Sequence, residues 1–207
     1  KMGEAIQIME ESIQAKPKEV DLYLILAALF EKEEQLPKAL QTLNKGLAQN
    51  RENVDLHYQL GALYDKMGDF EKMVSEMKEV LRLDPNHADA LNYLGYSYAE
   101  KDIHLEEALQ LIQKAMALKP NMGYITDSLG WAYFKLGDYE RAVIELEKAN
   151  QLTPNDPVIT EHLADGYSKL NRMDKAREFY EKALTLNPKP DQMERLKKKI
   201  EELRGKK

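Results

Sequence analysis

Apolar residues recur along the chain in short helical stretches, and the stretches repeat with a fixed period. Prolines at positions 85, 120, 154 and 188 are spaced by 35, 34 and 34 residues, and Pro17 lies 68 residues before the first of them. In each of the four later periods a Leu-Gly or Leu-Ala step is followed three residues later by tyrosine, as in Leu94-Gly95 and Tyr98. A regular period of this length indicates stacked helical units.

Each period predicts two antiparallel helices. In the first helix, apolar residues at positions 4, 7, 8 and 11 share one face at a spacing of 3.6 residues per turn. Gly68-Asp69, Gly137-Asp138 and Asn171-Arg172 follow the first helices, and residues of these types tolerate the left-handed conformation that ends a helix. The prolines then stop the second helices. No segment predicts a strand, so the predicted fold class is all-α.

The repeat boundaries follow from the same spacing. We predict a single array over 1–207 with a partial repeat at 3–17, full repeats at 20–51, 54–85, 88–120, 123–154 and 157–188, and a capping helix at 190–204. The first helix presents Ile6, Met9 and Ile13 with no preceding partner, and stacked repeats need a neighbour or a polar cap. We therefore expect a fragment of a longer protein, and self-association through this exposed helix is open.

The motifs resemble the tetratricopeptide repeat. The carrying patterns are Leu-Gly-x-x-Tyr, Gly-Asp-(Phe/Tyr)-x-x-(Ala/Met) and Ala-Leu-x-Leu-x-Pro, within residues 3–188. The chain departs at Arg51, where the family has proline, at Glu34, where it has glycine, and by one extra residue at 102–104. The resemblance implies a right-handed superhelical solenoid with a concave groove that binds proteins. Segments 91–97 and 126–131 resemble a bacterial subgroup with envelope-associated adaptors; cytoplasm and envelope both stay open, with a lean to the envelope.

Composition excludes several other functions. The 207 residues include 30 Lys and Arg against 36 Asp and Glu, and the resulting net charge of −6 argues against nucleic-acid binding. The chain has no cysteine, its four histidines lie in separate repeats without metal-binding spacing, and no phosphate loop or serine elbow is present. The longest apolar run, Leu22–Phe30, is far shorter than the roughly 20 residues of a membrane helix. We expect no catalytic residue, cofactor, metal or membrane span, and no enzyme activity.

The resemblance directs certain positions of the first helices into the groove. On those positions we predict a partner-binding surface formed by Leu24, Ile25, Tyr58, Asn92, Tyr93, Tyr96, Tyr124, Asp127, Trp131 and Phe134. Large aromatic side chains are enriched at binding hot spots. Nine carboxylates against four lysines at groove positions favour a protein segment with apolar anchors and a Lys or Arg.

Other interpretations are open at this stage. The groove aromatics could instead pack against the next repeat without any ligand. The apolar helix around Leu22–Phe30 could be covered by further repeats or could face a ligand. The leading hypothesis is a noncatalytic adaptor that holds a partner segment in its aromatic, acidic groove. The alternatives are a self-assembling scaffold and the recruitment arm of a larger enzyme.

Overall fold

The computed structural model describes residues 2–204, and all regular secondary structure in that range is α-helical. This confirms the all-α class and its antiparallel helix pairs. The twelve helices are α1 (Met2–Ala15), α2 (Val20–Lys32), α3 (Leu36–Gln49), α4 (Val54–Lys66), α5 (Phe70–Leu83), α6 (Ala88–Glu100), α7 (Leu105–Leu118), α8 (Gly123–Lys135), α9 (Tyr139–Leu152), α10 (Pro157–Lys169), α11 (Met173–Thr185) and α12 (Pro190–Arg204).

The turns between paired helices have the expected backbone. Gly68, Gly137 and Asn171 adopt left-handed conformations, with φ of 80°, 81° and 57°. Glu34 takes the same conformation in the first full repeat, with φ of 57°, although a side chain disfavours it. The longer turn at 102–104 uses two such residues. The left-handed turn conformation is therefore also present where the sequence departs from the family pattern.

Residue contacts group the chain into two compact units, Lys1–Ala90 and Leu91–Lys207, called unit 1 and unit 2 below. The predicted repeat limits, 20–51, 54–85, 88–120, 123–154 and 157–188, stay predictions. The single continuous array over 1–207 stays a prediction.

In unit 1 the core forms between α2, α3 and α4 around Leu26, Leu43, Leu56 and Leu60. Ile6, Met9 and Ile13 of α1 are half-buried against this core. Their apolar stripe, which the sequence left without a preceding neighbour, is thus partly covered by the following helices.

The apolar helix α2 is mostly enclosed within unit 1. Tyr23, Leu26, Ala27 and Phe30 are buried, whereas Ile25 is 48% exposed. Packing inside unit 1 therefore accounts for the run from Leu22 to Phe30, and a single large apolar side chain of α2 faces solvent.

In unit 2 the core runs from α9 through α10 and α11 to α12. Leu196, Ile200 and Leu203 of α12 are buried in it, on the predicted stripe, together with Leu146 and Leu163. Burial of a side chain of this size contributes about 1.5–3 kcal/mol. The stripe of α12 is therefore a substantial part of the stability of unit 2.

Candidate partner-binding groove

A cavity of about 630 Å³ lies in unit 2, lined by α6, α8, α10 and α12. Its apolar walls include Tyr96, Trp131 and Val158, and its polar walls include Glu161, His162 and Arg195. Ligand pockets of proteins have volumes of about 300–1,000 Å³ and combine apolar walls with a few placed polar groups. We call this cavity the groove pocket.

Trp131 forms the inner wall of the groove pocket and is itself well packed. It is 8% exposed. Its ring stacks on Phe134 with centroids 4.7 Å apart and on His162 with centroids 4.1 Å apart. Its indole Nε1 donates a hydrogen bond of 2.7 Å to the Glu100 carboxylate. Trp131 therefore has a fixed orientation without any ligand.

Beside Trp131, Asp127 and His162 form a buried pair. His162 Nδ1 lies 3.0 Å from each carboxylate oxygen of Asp127, and His162 is 7% exposed and Asp127 5%. Burial opposes protonation of His162, but the charge and hydrogen bond of Asp127, with the charges of Asp165 and Glu161, outweigh it and raise its pKa. His162 is therefore protonated more readily in this pair than a histidine side chain in water.

The other side of the groove pocket is an ionic network between α10 and α12. Arg195 donates two hydrogen bonds, of 2.7 and 2.8 Å, to the buried carboxylate of Glu161, and Lys199 and Gln192 donate one each, of 2.8 and 2.9 Å. Burial pushes the Glu161 pKa upward, but the bonds from Arg195 and Lys199 outweigh it and lower the pKa to about 2. Glu161 is thus an ionised carboxylate fixed inside the protein.

The network continues to Asp165. Lys199 donates to both carboxylate oxygens of Asp165, at 2.7 and 2.8 Å, and the Tyr180 hydroxyl donates to Asp165 at 2.5 Å. Burial and the charge of Asp165 raise the pKa of Tyr180. Glu161 and Arg195, like Asp165 and Lys199, are one period of 34 residues apart. The capping helix therefore continues the register of the repeats and supplies cations to equivalent positions.

The structure changes the expected acidity of the groove in unit 2. Glu100, Asp127, Glu161 and Asp165 all accept hydrogen bonds from donors of the protein. The count of nine carboxylates against four lysines covers only the first helices of the five full repeats, and α12 adds Arg195 and Lys199 to the groove. The groove pocket is therefore a mixed polar surface rather than an uncompensated acidic one.

The predicted binding residues differ widely in accessibility. In unit 1, Ile25 is exposed, and Leu24 and Tyr58 are half-buried. In unit 2, Tyr124 is 41% exposed, Tyr93, Tyr96 and Phe134 are half-buried, and Asn92, Asp127 and Trp131 are buried. The structure brings Tyr96 and Trp131 together in the groove pocket. Partner binding by the predicted residues stays a prediction.

Sequence reasoning missed His162, Glu161, Arg195 and Lys199 as site residues. A signal was present, because His162 follows Asp127 by 35 residues and Arg195 follows Glu161 by 34, so each pair occupies neighbouring repeats. Opposite charges one period apart predict contacts between adjacent first helices.

Unit 1 has a groove of comparable size, about 650 Å³, lined by α1, α2 and α3. Its floor contains Tyr23, Leu26 and Phe30, which are almost fully buried, and its edges include Lys38 and Glu10. The Tyr23 hydroxyl donates to the Pro17 carbonyl at 2.8 Å. The polar atom of the floor is therefore already bonded to the protein.

Unit 1 also contains a histidine–carboxylate pair. His57 Nδ1 lies 2.6 Å from Glu76 Oε2, and His57 Nε2 lies 3.0 Å from the Arg51 carbonyl oxygen. Arg51 stands where the family has proline. Both ring nitrogens of His57 therefore face oxygens of the protein.

The described part of the chain contains neither a metal-binding cluster nor a membrane-spanning helix. Within residues 2–204 no three His, Cys, Asp or Glu side chains are grouped so that they could hold a metal ion. In the same range no helix combines the length and apolar character needed to cross a membrane.

Comparison with known proteins identifies the family. The tetratricopeptide repeat profile matches residues 5–194. Over 145 residues the chain is 31% identical to the TPR repeat-containing protein PA4667 of Pseudomonas aeruginosa, an alignment covering 68% of this chain and 25% of that protein. The chain thus spans about a quarter of the length of this curated relative.

Two known structures show the same fold. A tetratricopeptide repeat protein from Parabacteroides merdae aligns with a TM-score of 0.82 and 19% identity, covering 98% of this chain and 80% of that one. The TPR protein YrrB aligns with a TM-score of 0.65 and 19% identity, covering 92% and 97%. The profile match over residues 5–194, together with the repeat motifs and the helix hairpins, shows that the chain belongs to the tetratricopeptide repeat family.

Proposed function

We propose that the chain is a noncatalytic adaptor that holds a segment of a partner protein in the groove pocket of unit 2. The observation that carries the proposal is the groove pocket itself, where a preformed wall of Tyr96 and Trp131 meets placed polar groups. A wall already ordered before binding lowers the entropic cost of association. Family membership supports the proposal, and the related structure of YrrB is described as having an unusual peptide-binding site.

The chemistry of the walls defines the segment. Val158 is 40% exposed at the edge of the groove pocket and offers contact for an apolar side chain. Glu100 accepts one hydrogen bond from Trp131 and keeps acceptor capacity for a Lys or Arg of the partner. The proposed ligand is therefore an extended or helical segment with an apolar anchor and a basic residue.

A matched pair of variants tests the location. Peptides would be selected from a displayed random library on the wild-type chain, and their affinities measured by fluorescence polarisation for Val158→Glu and Ile144→Glu. Both positions are exposed apolar residues of unit 2, at 40% and 51%, and Ile144 lies on α9 outside the groove pocket. We expect at least a tenfold loss for Val158→Glu, because a buried charge without a partner opposes binding, and no change for Ile144→Glu. Equal affinities of the two variants would contradict the proposal.

We also propose self-association through α1 as a second, separate activity. Ile8 of α1 is 56% exposed, more than any other large apolar residue described. Ile8→Glu is expected to lower the sedimentation-equilibrium mass at high protein concentration. A wild-type chain that stays monomeric at all concentrations would exclude this activity and leave the groove proposal untouched.

A further inference from the structure

The proposed adaptor function leaves open which polar atom of the groove pocket contacts the partner. His162 lines the pocket, and its Nδ1 is engaged by Asp127. Its Nε2 has no hydrogen-bond partner among the described residues. This nitrogen is nevertheless not fully buried. Nε2 therefore retains contact with the space of the pocket.

Asp127 determines which nitrogen titrates. A carboxylate accepts hydrogen bonds, so Nδ1 carries a proton and donates it to Asp127. The proton that is gained or lost then resides on Nε2. In the neutral ring Nε2 is an acceptor, and in the imidazolium it is a donor. Protonation therefore changes the nitrogen that faces the pocket from a hydrogen-bond acceptor into a donor.

Charged and titratable groups face His162 from four helices. They are Tyr96 and Glu100 of α6, Asp127 of α8, Glu161 and Asp165 of α10, and Asp191, Arg195 and Lys199 of α12, and the pocket lining also includes Asp156 and Lys189 from the adjoining loops. The two cations of α12 are already bonded to Glu161 and Asp165. The surrounding carboxylates therefore favour the imidazolium, and the raised pKa of His162 agrees with this balance.

We propose that His162 is a specificity-determining contact of the groove pocket, where its imidazolium Nε2–H donates a hydrogen bond to an oxygen of the bound segment. This inference rests on the proposed function and adds its regulation. A backbone carbonyl and a carboxylate both present such an oxygen. Binding weakens as the pH rises through the His162 titration, because the donor becomes an acceptor that faces another acceptor.

The stacked tryptophan supports this role. Trp131 covers one face of the imidazole with ring planes 15° apart. With Asp127 on the Nδ1 side, the ring is held by two fixed contacts. Nε2 therefore has a defined position before any ligand arrives, as a recognition group requires.

His57 provides an internal control. It also pairs with a carboxylate, but its Nε2 is occupied by the Arg51 carbonyl. An acceptor added to the solution therefore cannot bond to His57 Nε2, because the Arg51 carbonyl already contacts it. Comparing the responses of His162 and His57 in one molecule thus distinguishes direct contact with a ligand from general effects of added solutes.

The test is a pH titration of the ring nitrogens by NMR on ¹⁵N-histidine-labelled chain, alone and with acetate or N-methylacetamide at equal concentration. Acetate represents a carboxylate and N-methylacetamide a peptide carbonyl. We expect at least one probe to raise the titration midpoint of His162, and neither probe to change the ring-nitrogen chemical shifts of His57 at constant pH. The probe that acts identifies the source of the oxygen. A His162 midpoint that does not move, or probe-induced chemical-shift changes of similar size at His57, overturns the proposal.

A binding measurement separates this inference from the proposed function. His162→Gln keeps a side-chain donor that does not titrate. For the tightest selected peptide we expect wild-type affinity to fall about tenfold between pH 6 and pH 9, as for loss of one hydrogen bond to a charged group, and His162→Gln to show a flat profile. A flat wild-type profile overturns the role of His162. If Val158→Glu still weakens that peptide, the groove function itself stands.

Discussion

The two histidine–carboxylate pairs of this protein join the same kinds of side chain in different surroundings. In unit 1, His57 lies between Glu76 and the Arg51 carbonyl, and both of its nitrogens contact the protein. In unit 2, His162 contacts Asp127 through Nδ1 alone and lines the groove pocket with its other edge. A fully bonded pair fixes a local structure, whereas a half-bonded pair beside a cavity retains capacity for a ligand. The difference lies in what surrounds the second nitrogen.

The largest expected loss of stability comes from breaking the ionic network of unit 2, and it is compared with the loss from breaking a surface ion pair of unit 1. Glu161→Ala leaves Arg195, Lys199 and Gln192 without their shared acceptor at a site that is 2% exposed. We expect the free energy of unfolding, measured by urea denaturation, to fall by about 3 kcal/mol. Glu79→Ala removes a half-buried partner of the exposed Arg82 at the surface of unit 1 and serves as control, with no measurable loss expected. Equal losses would show that the network contributes no more to the free energy of unfolding than a surface ion pair does.

The same network predicts an acid-sensitive unit 2. The pKa of Glu161 is lowered to about 2 in the folded chain, below its ordinary value of 4.5. The stabilisation is therefore complete above about pH 4.5 and is lost as the pH falls toward 2. Urea midpoints of wild type and Glu161→Gln should converge over that interval. A difference that stays constant down to pH 2 would contradict the lowered pKa.

A smaller effect concerns the buried pair of the groove. The raised pKa of His162 means that its stabilisation is present below the ordinary value of 6.5 and is lost as the pH rises through the raised value. Asp127→Asn removes the charge that causes the shift. We expect this variant to be about 2 kcal/mol less stable than wild type at pH 6, with the gap shrinking by pH 9. A gap independent of pH would exclude a charged pair.

The smallest effect compares glycines at equivalent positions of two repeats. At Gly130 in unit 2 an added Cβ would lie 2.6 Å from Leu146 Cγ and 3.1 Å from the Leu146 backbone nitrogen. At Gly61 in unit 1 the short contact would be with the flexible end of Met77 at 2.7 Å, while Glu76 Cβ and the Met73 carbonyl oxygen would lie at 3.4 and 3.5 Å. We expect Gly130→Ala to cost about 1 kcal/mol and Gly61→Ala to be nearly neutral, because Met77 can move aside. Urea denaturation of both variants measures the difference, and the reverse order would contradict the packing described.

Much of the fold could be predicted from the sequence, because periodicity and turn residues are local signals. The period placed every helix pair, Gly68 and Asn171 occupy the left-handed turn positions, and Leu196 lies on the buried stripe of α12. The accessibility of the groove residues could not be read in the same way. Trp131 is enclosed by Phe134 and His162, and its contact across repeats depends on side-chain register that the spacing alone does not determine.

The site was less predictable for a related reason. Polar residues on a capping helix normally face solvent, so Arg195 and Lys199 resembled a solvated surface. Their partners, Glu161 and Asp165, lie on the preceding first helix at the same repeat positions. Only the combination of period and opposite charge points to these contacts. The free Nε2 of His162 is a matter of three-dimensional surroundings, and no sequence pattern reports it.

The most direct test of the account is an NMR map of the chain with the tightest selected peptide. Trp131 is the single tryptophan, so its indole N–H gives one assigned signal at the groove pocket. The account predicts that this signal and the Val158 amide shift in proportion to bound peptide, while the signals of His57 and Ile8 stay in place. Shifts confined to unit 1, with Trp131 unchanged at saturation, would contradict it.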